Sequence, residues 1–262
     1  MRFHFNFSPR QILWTLTFAS QLVLLVVMLG RDRARRYPWF TASIALSALG
    51  LMAGVLLAGR MAMLPFQEIL LTLGDLLAIV TLLVVVEVAR RAFAGVQRSL
   101  WIVNTTGLLV VAGGALAAWG PWQAWKNLAL DTLLGKLKLM ELVELKGERL
   151  AEMLLVGVGL LVVLFGRRFK AGWRSHTQMI AIGLSTVAIA SLATQGAMQS
   201  IARTAHPNSR AEYDHIMSLL STLGYAEKAV YLAALVWWIV WLWLDEPGAV
   251  AETAGAATKE KL

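Results

Sequence analysis

Apolar residues run along this chain in long blocks, with polar residues crowded into the gaps between them. A helix that crosses a bilayer takes about 20 mainly apolar residues, because the hydrocarbon core is roughly 30 Å thick and each residue adds about 1.5 Å. Seven blocks approach that length: residues 11–30, 39–58, 65–89, 100–120, 149–166, 178–200 and 224–244, the fifth being the shortest. The strict alternation that marks barrel strands does not recur. The pattern predicts an all-α membrane protein, a single seven transmembrane helix bundle over residues 1–244.

The gaps set an orientation. The stretch RDRARRYP after the first block carries four Arg. Arg90, Arg91 and Arg98 follow the third block, and Arg167, Arg168, Lys170 and Arg174 follow the fifth. The alternate gaps are poorer, with Arg2, Arg10, Arg60, Arg203 and Arg210 spread over three segments. Basic residues are retained on the cytoplasmic side, so the N-terminus is expected outside and the C-terminus in the cytoplasm. The first block reads as a retained helix, not a signal peptide, because it lacks a small-x-small cleavage site and its strongest basic cluster comes after it. Residues 245–262 are small and polar and read as a disordered cytoplasmic tail, too short for an output domain.

One gap is long. Residues 121–148 balance four Lys against Asp131, Glu141, Glu144 and Glu148. Leu130, Leu133, Leu134, Leu137 and Met140 fit a helical stripe, while KLKLMELVEL also alternates like a strand. The first expectation is an interfacial helix lying on the bilayer; the second is a lid over the outer face of the bundle.

Composition agrees with a membrane setting. Of 262 residues, 58% are hydrophobic and 15% charged, against about 25% charged in soluble domains. The absence of Cys excludes disulfides, thiolate metal sites and cysteine nucleophiles. The net charge of +8 sits in short clusters between apolar blocks, which points to a membrane and not to nucleic acid.

Polar residues inside the blocks are the candidates for function. Glu68, Thr72 and Asp75 share one face of the third predicted helix, and its inward continuation is apolar. Ser191, Gln195 and Gln199 form a second stripe. Glu227 and Lys228 lie between Tyr225 and Tyr231, and Gln21 stands near Thr17 and Ser20. All fall in the expected outer half, either as interhelical hydrogen bonds or as the lining of an outward-facing pocket. Asp75 is expected near the midplane, where a charged carboxyl is costly unless it is protonated, paired or wet. Lys228, Gln21, Gln195 or a ligand are its available partners.

Small residues at Gly50, Gly54 and Ala58, and again at Gly113 and Ala117, suit close helix packing. Histidine is limited to His4, His176, His206 and His215, which argues against a bis-histidine haem. His206, Glu212, Asp214 and His215 have no specific metal-ligand spacing and read as a solvated loop. Phosphate-loop, dinucleotide, nucleophile-elbow and zinc-protease motifs are missing, so no catalytic residue, metal or cofactor is assigned.

The bundle has a superficial likeness to microbial rhodopsins, in which Lys228 and Asp75 would be the retinal lysine and its counterion. Lys228 is too near the outer end, and the sixth block has no aromatic wall. A broader resemblance is to uncharacterised bacterial seven-helix integral membrane proteins. It is carried by Arg35 to Phe40 before the second helix, Glu87 to Arg91 ending the third, and Trp173 to His176 before the sixth. That resemblance implies a bacterial inner (plasma) membrane location and no known activity.

These observations give a non-enzymatic, receptor-like or ligand-binding protein that acts through a partner. The alternatives are a small proton-coupled transporter and a structural subunit of a membrane complex. Expected partners are membrane lipids and either a membrane protein or a second copy, with no nucleic acid.

Overall fold

A computed structural model describes residues 8–92, 132–165, 175–205 and 209–245, together with Gly107, Val111 and Gly113. Among the described residues the helices are α1 (Pro9–Gly30), α2 (Arg33–Arg36), α3 (Pro38–Leu57), α4 (Met63–Ala92), α5 (Leu133–Phe165), α6 (His176–Thr204) and α7 (Arg210–Trp243). Five of them, α1, α3, α4, α6 and α7, are long and apolar enough to cross a membrane. The protein is a polytopic, largely helical, membrane-spanning protein. The expected helix at 100–120 and the tail beyond Asp245 lie outside the described residues, except that Gly107, Val111 and Gly113 are helical.

Local chemistry sets the helix starts. Ser8 accepts the Gln11 backbone N–H while the Gln11 side chain accepts from Ser8 N, a reciprocal cap preceding Pro9. Ser175 and Ser209 accept the N–H of Gln178 and Glu212 in the same way. Pro38 opens α3, where its missing N–H costs nothing.

The six long helices close into a ring in the order α1, α3, α4, α5, α6, α7, and α4 also touches α6 across it. At one end Glu87 of α4 meets Phe40 of α3, Tyr37 meets Thr177 of α6, and Arg31 after α1 meets Asp245 after α7. α3 and α6 therefore run against the other four. The neighbours α1 and α7 run parallel. So do α4 and α5, because Gly74 faces Glu144 and Ala78 faces Gly147. The chain thus returns from one end of the bundle to the other between Ala92 and Leu133. Arg31, Arg33, Arg35, Arg36, Arg90 and Arg91 mark the first end, called here the arginine-rich end.

The segment before residue 149 differs from expectation. Residues 133–148 neither lie apart on the surface nor cap the bundle; they are the first half of α5, with no break at Arg149. The reason is a shared heptad face. Leu137, Glu144, Glu148, Ala151, Leu155, Val158 and Val162 follow at spacings of seven, four and three, and carboxylates occupy two of those places. α7 also starts early, at Arg210 instead of 224. α5 and α7 have 33 and 34 residues, or about 50 Å of helix at roughly 1.5 Å per residue. Both exceed a core of about 30 Å.

Packing is tightest toward the arginine-rich end, where Met28, Tyr37, Phe40, Val88, Ile180 and Trp238 are buried together. Large apolar side chains such as Val26, Leu29, Ile79 and Val163 remain on the outside, as lipid-facing positions do. Close backbone approach occurs at Gly159 and Gly183, where a Cβ would overlap the Ser185 hydroxyl and the Trp238 ring. The Ser185 hydroxyl lies 2.8 Å from Leu155 O and 2.7 Å from Ala181 O, tying α6 to α5. Gly50 and Gly54 meet no described atom within 4 Å, so the small-residue face of α3 is not where the described helices approach one another.

Gly159→Leu should therefore overpack the α5–α6 contact and cost about 1–3 kcal/mol or more. Thermal unfolding in detergent, followed by tryptophan fluorescence, should show a clearly lower midpoint. Gly50→Leu should change it little. Equal losses in the two variants would contradict this arrangement.

Candidate functional site

Between the helices is a cavity of about 430 Å³ lined by α3, α4, α5, α6 and α7. Its composition changes along its length. Ser43, Ile44, Val84, Leu184 and Trp238 line the part nearest the arginine-rich end; the Ser43 hydroxyl donates to Phe40 O of its own helix at 2.8 Å, and Trp238 is only 1% exposed. Ser47, Thr81, Glu152, Ser191 and Tyr231 form the middle. Glu144, Glu148, Gly224, Glu227 and Lys228 form the opposite part, where Glu148 and Lys228 are exposed and mark its opening to the surface.

Glu144, Glu148 and Glu152 are four residues apart on α5, one above another on one face. Gly74 makes room for the first of them, since a Cβ there would overlap the Glu144 carboxylate. Glu152 is 8% exposed and is the deepest acid in the cavity. Ser191 stands beside its carboxylate, and the Ser191 Oγ accepts from Gln195 Nε2 at 3.1 Å. The Glu152 Oε2 is buried and has no hydrogen-bond partner. Across the ring, Gln21 Nε2 donates to Ser47 Oγ at 2.8 Å and to Tyr231 Oη at 3.1 Å, so α1 braces two lining residues from behind.

The expected site residues separate into three groups. Ser191, Glu227 and Lys228 line the cavity. Gln21 and Gln195 hold lining residues without lining it themselves. Glu68, Thr72, Asp75 and Gln199 do not line it. Glu68 and Thr72 are exposed, and the Thr72 hydroxyl bonds its own helix at Glu68 O. Asp75 is half-buried with Oδ1 unpartnered, and the charge beside it is the like charge of Glu144, not Lys228.

Sequence reasoning missed Glu152. The signal was present as Glu-x-x-x-Glu-x-x-x-Glu over residues 144–152. It went unread because the helix was divided at residue 149, which left two of the acids in a connection and one in a span.

The arginine-rich end is built differently. Glu87 is buried and accepts the Phe40 N–H at 3.1 Å, capping α3 from a neighbouring helix. Arg91 pairs with Glu87 at 3.7 Å and stacks over the Tyr37 ring. The Tyr37 hydroxyl bonds Thr177 Oγ1 at 2.8 Å, and His176 Nε2 bonds Leu244 O at 3.0 Å. Phe40 meets Trp238 edge to face, with ring centroids 5.1 Å apart. The motifs noted in the sequence around Arg35 and Glu87 thus meet the start of α6 at His176 and Thr177, while Trp173 lies outside the described residues. This cluster lies under the apolar base of the cavity. Among the described residues, no group of His, Asp and Glu could hold a metal ion.

Comparison with protein families, with known proteins and with solved structures finds no match to this chain.

The cavity gradient is open to a direct check. The native chain has no Cys, so single Cys substitutions start from a clean background. Cys at Glu148 and at Lys228 should react with a membrane-impermeant thiol reagent. Cys at Val84 and at Ala188 should be protected. Equal reaction at all four would refute an apolar, closed base.

Proposed function

We propose that this protein is a multi-pass inner-membrane protein that binds a ligand in the cavity from the outer side and acts through a partner, without catalysis of its own. The observation that carries this reading is the cavity's asymmetry: it is polar and open at one end, apolar and closed at the other. A ligand can enter and be held, and among the described residues the far end of the lining is mainly apolar, with Ser43 bonded back to its own helix. The arginine-rich end is the cytoplasmic one in this proposal, by the bias of Lys and Arg toward that side. Because α4 and α5 run parallel, a crossing between Ala92 and Leu133 completes seven spans and leaves the N-terminus outside and the C-terminus inside.

A proton-coupled transporter needs polar groups that continue to the cytoplasmic end. Glu87 is the acid at that level on α4, and it is committed to the start of α3. That commitment favours binding over transport. A structural subunit is supported by one observation, the open small-residue face at Gly50 and Gly54. In that role a second copy or another membrane protein would cover the face, together with lipids. The resemblance to bacterial seven-helix membrane proteins supports the same placement.

Reporter fusions test the placement. Fusions after Arg36 and Lys170 should report a cytoplasmic position, and fusions after Arg60, Lys138 and Pro207 an outside one. A cytoplasmic report at Lys138 would remove the crossing between Ala92 and Leu133 and reverse the opening of the cavity.

A further inference from the structure

We propose that the ligand is an organic ammonium ion, an amine carried on an apolar body; this rests on the ligand-binding reading above. Four carboxylates line the cavity, Glu144, Glu148, Glu152 and Glu227, and Lys228 is the basic residue among the lining. Three further charges act on the lining without belonging to it. Asp75 and Glu141 add to the acidic side next to Glu144, and Arg149 acts on Glu148 and Glu152. Six acids therefore oppose two bases.

Acidity alone would not define a ligand; Glu152 does. It is more than nine-tenths buried, it lines the cavity beside Ser191, and its Oε2 lacks a donor. A buried carboxylate oxygen without a donor is costly. An ammonium N–H supplies that donor together with the compensating charge. The apolar wall of Leu155, Val84 and Trp238 beyond Glu152 fits the body of the same molecule. A cavity of about 430 Å³ lies in the range of small-molecule sites. The acids are strung along α5 from residue 144 to 152, about 12 Å of helix. They do not converge on a point as ligands of a metal ion do.

The ammonium has two possible sources, a free amine outside the cell or the headgroup of an aminolipid. The test uses the full chain in nanodiscs of phosphatidylglycerol, with tryptophan fluorescence and thermal midpoint as readouts and n-hexylamine as the probe. Hexan-1-ol and hexanoate carry the same body without the cation. The amine should raise the midpoint and give a saturable fluorescence change, and the alcohol and the acid should not. Adding phosphatidylethanolamine to the discs should weaken the hexylamine response if the headgroup occupies the cavity, and leave it unchanged if the ligand is a free amine.

Glu152→Gln keeps the shape and the Ser191 contact but removes the charge. It should keep or raise the midpoint without amine and weaken hexylamine binding about tenfold or more. Lys228→Gln should act in the opposite direction and strengthen binding by about threefold, which a merely damaged fold would not do. An equal response to hexan-1-ol, or unaltered amine binding in Glu152→Gln, would overturn the ammonium assignment while leaving a ligand-binding cavity. No response to hexylamine in either lipid would overturn the ammonium proposal as well. If Cys at Glu148 and Lys228 were also protected from the thiol reagent, the ligand-binding reading would fall with it.

Discussion

A carboxylate turned toward lipid costs several kcal/mol, and α5 carries three of them in a row at Glu144, Glu148 and Glu152. That cost fixes which face of α5 looks inward. Once it is fixed, the neighbours have to make room. α4 does so with Gly74, where the absence of a side chain leaves space for Glu144. α6 places Ser191 in the lining beside Glu152. α7 brings Glu227 and Lys228 to the same level. The ring cannot close tightly around a column of acids, because like charges and their water resist burial. The cavity is the space that remains, so its position follows from the sequence of one helix.

The opposite end solves a similar problem by another route. Glu87 is as buried as Glu152, but it is surrounded by donors. The first N–H groups of α3 have no partners within their own helix, and Glu87 accepts that of Phe40 while Arg91 balances its charge. The same two groups, Arg91 and α3, position Tyr37, which reaches α6 through Thr177. One acid is thus converted into a joint between three helices. The contrast lies in the number of donors each acid meets, not in depth of burial. Glu87 has a partner at each oxygen, whereas Glu152 has one oxygen with none.

Much of the fold was legible as apolar blocks. Five of them coincide with α1, α3, α4, α6 and α7, because a lipid-facing helix is apolar nearly all round and length alone reveals it. α5 was harder to read. Its inward face carries acids, so its mean hydropathy drops where it lines the cavity, and the pattern resembles a surface connection. α7 was read as starting fourteen residues late because its first turns, residues 210–223, are polar and largely exposed. The candidate site was legible only in part. Polar residues on α1, α6 and α7 stood out against apolar neighbours, and Gln21, Ser191, Gln195, Glu227 and Lys228 do lie in or behind the cavity lining. The stripe of Glu68, Thr72 and Asp75 stood out equally, yet Glu68 and Thr72 are on an outer surface. Spacing along one helix shows which residues share a face, but not which face the neighbouring helices cover.

The two ends together limit what binding at the acids could do. Trp238 lines the base of the cavity and also packs on Phe40. Phe40 in turn presents its N–H to Glu87. A ligand body resting against Trp238 therefore touches the joint of α3, α4 and α6 through a single ring. On the other side Gly183 leaves no space for Trp238 to retreat toward α6. Displacement of the ring would have to be taken up by Phe40, and so by the start of α3 beside the arginine cluster. Packed side chains in contact move together or not at all. Under the proposed ligand-binding reading, these packed contacts would be the link between the acidic cavity and the basic end.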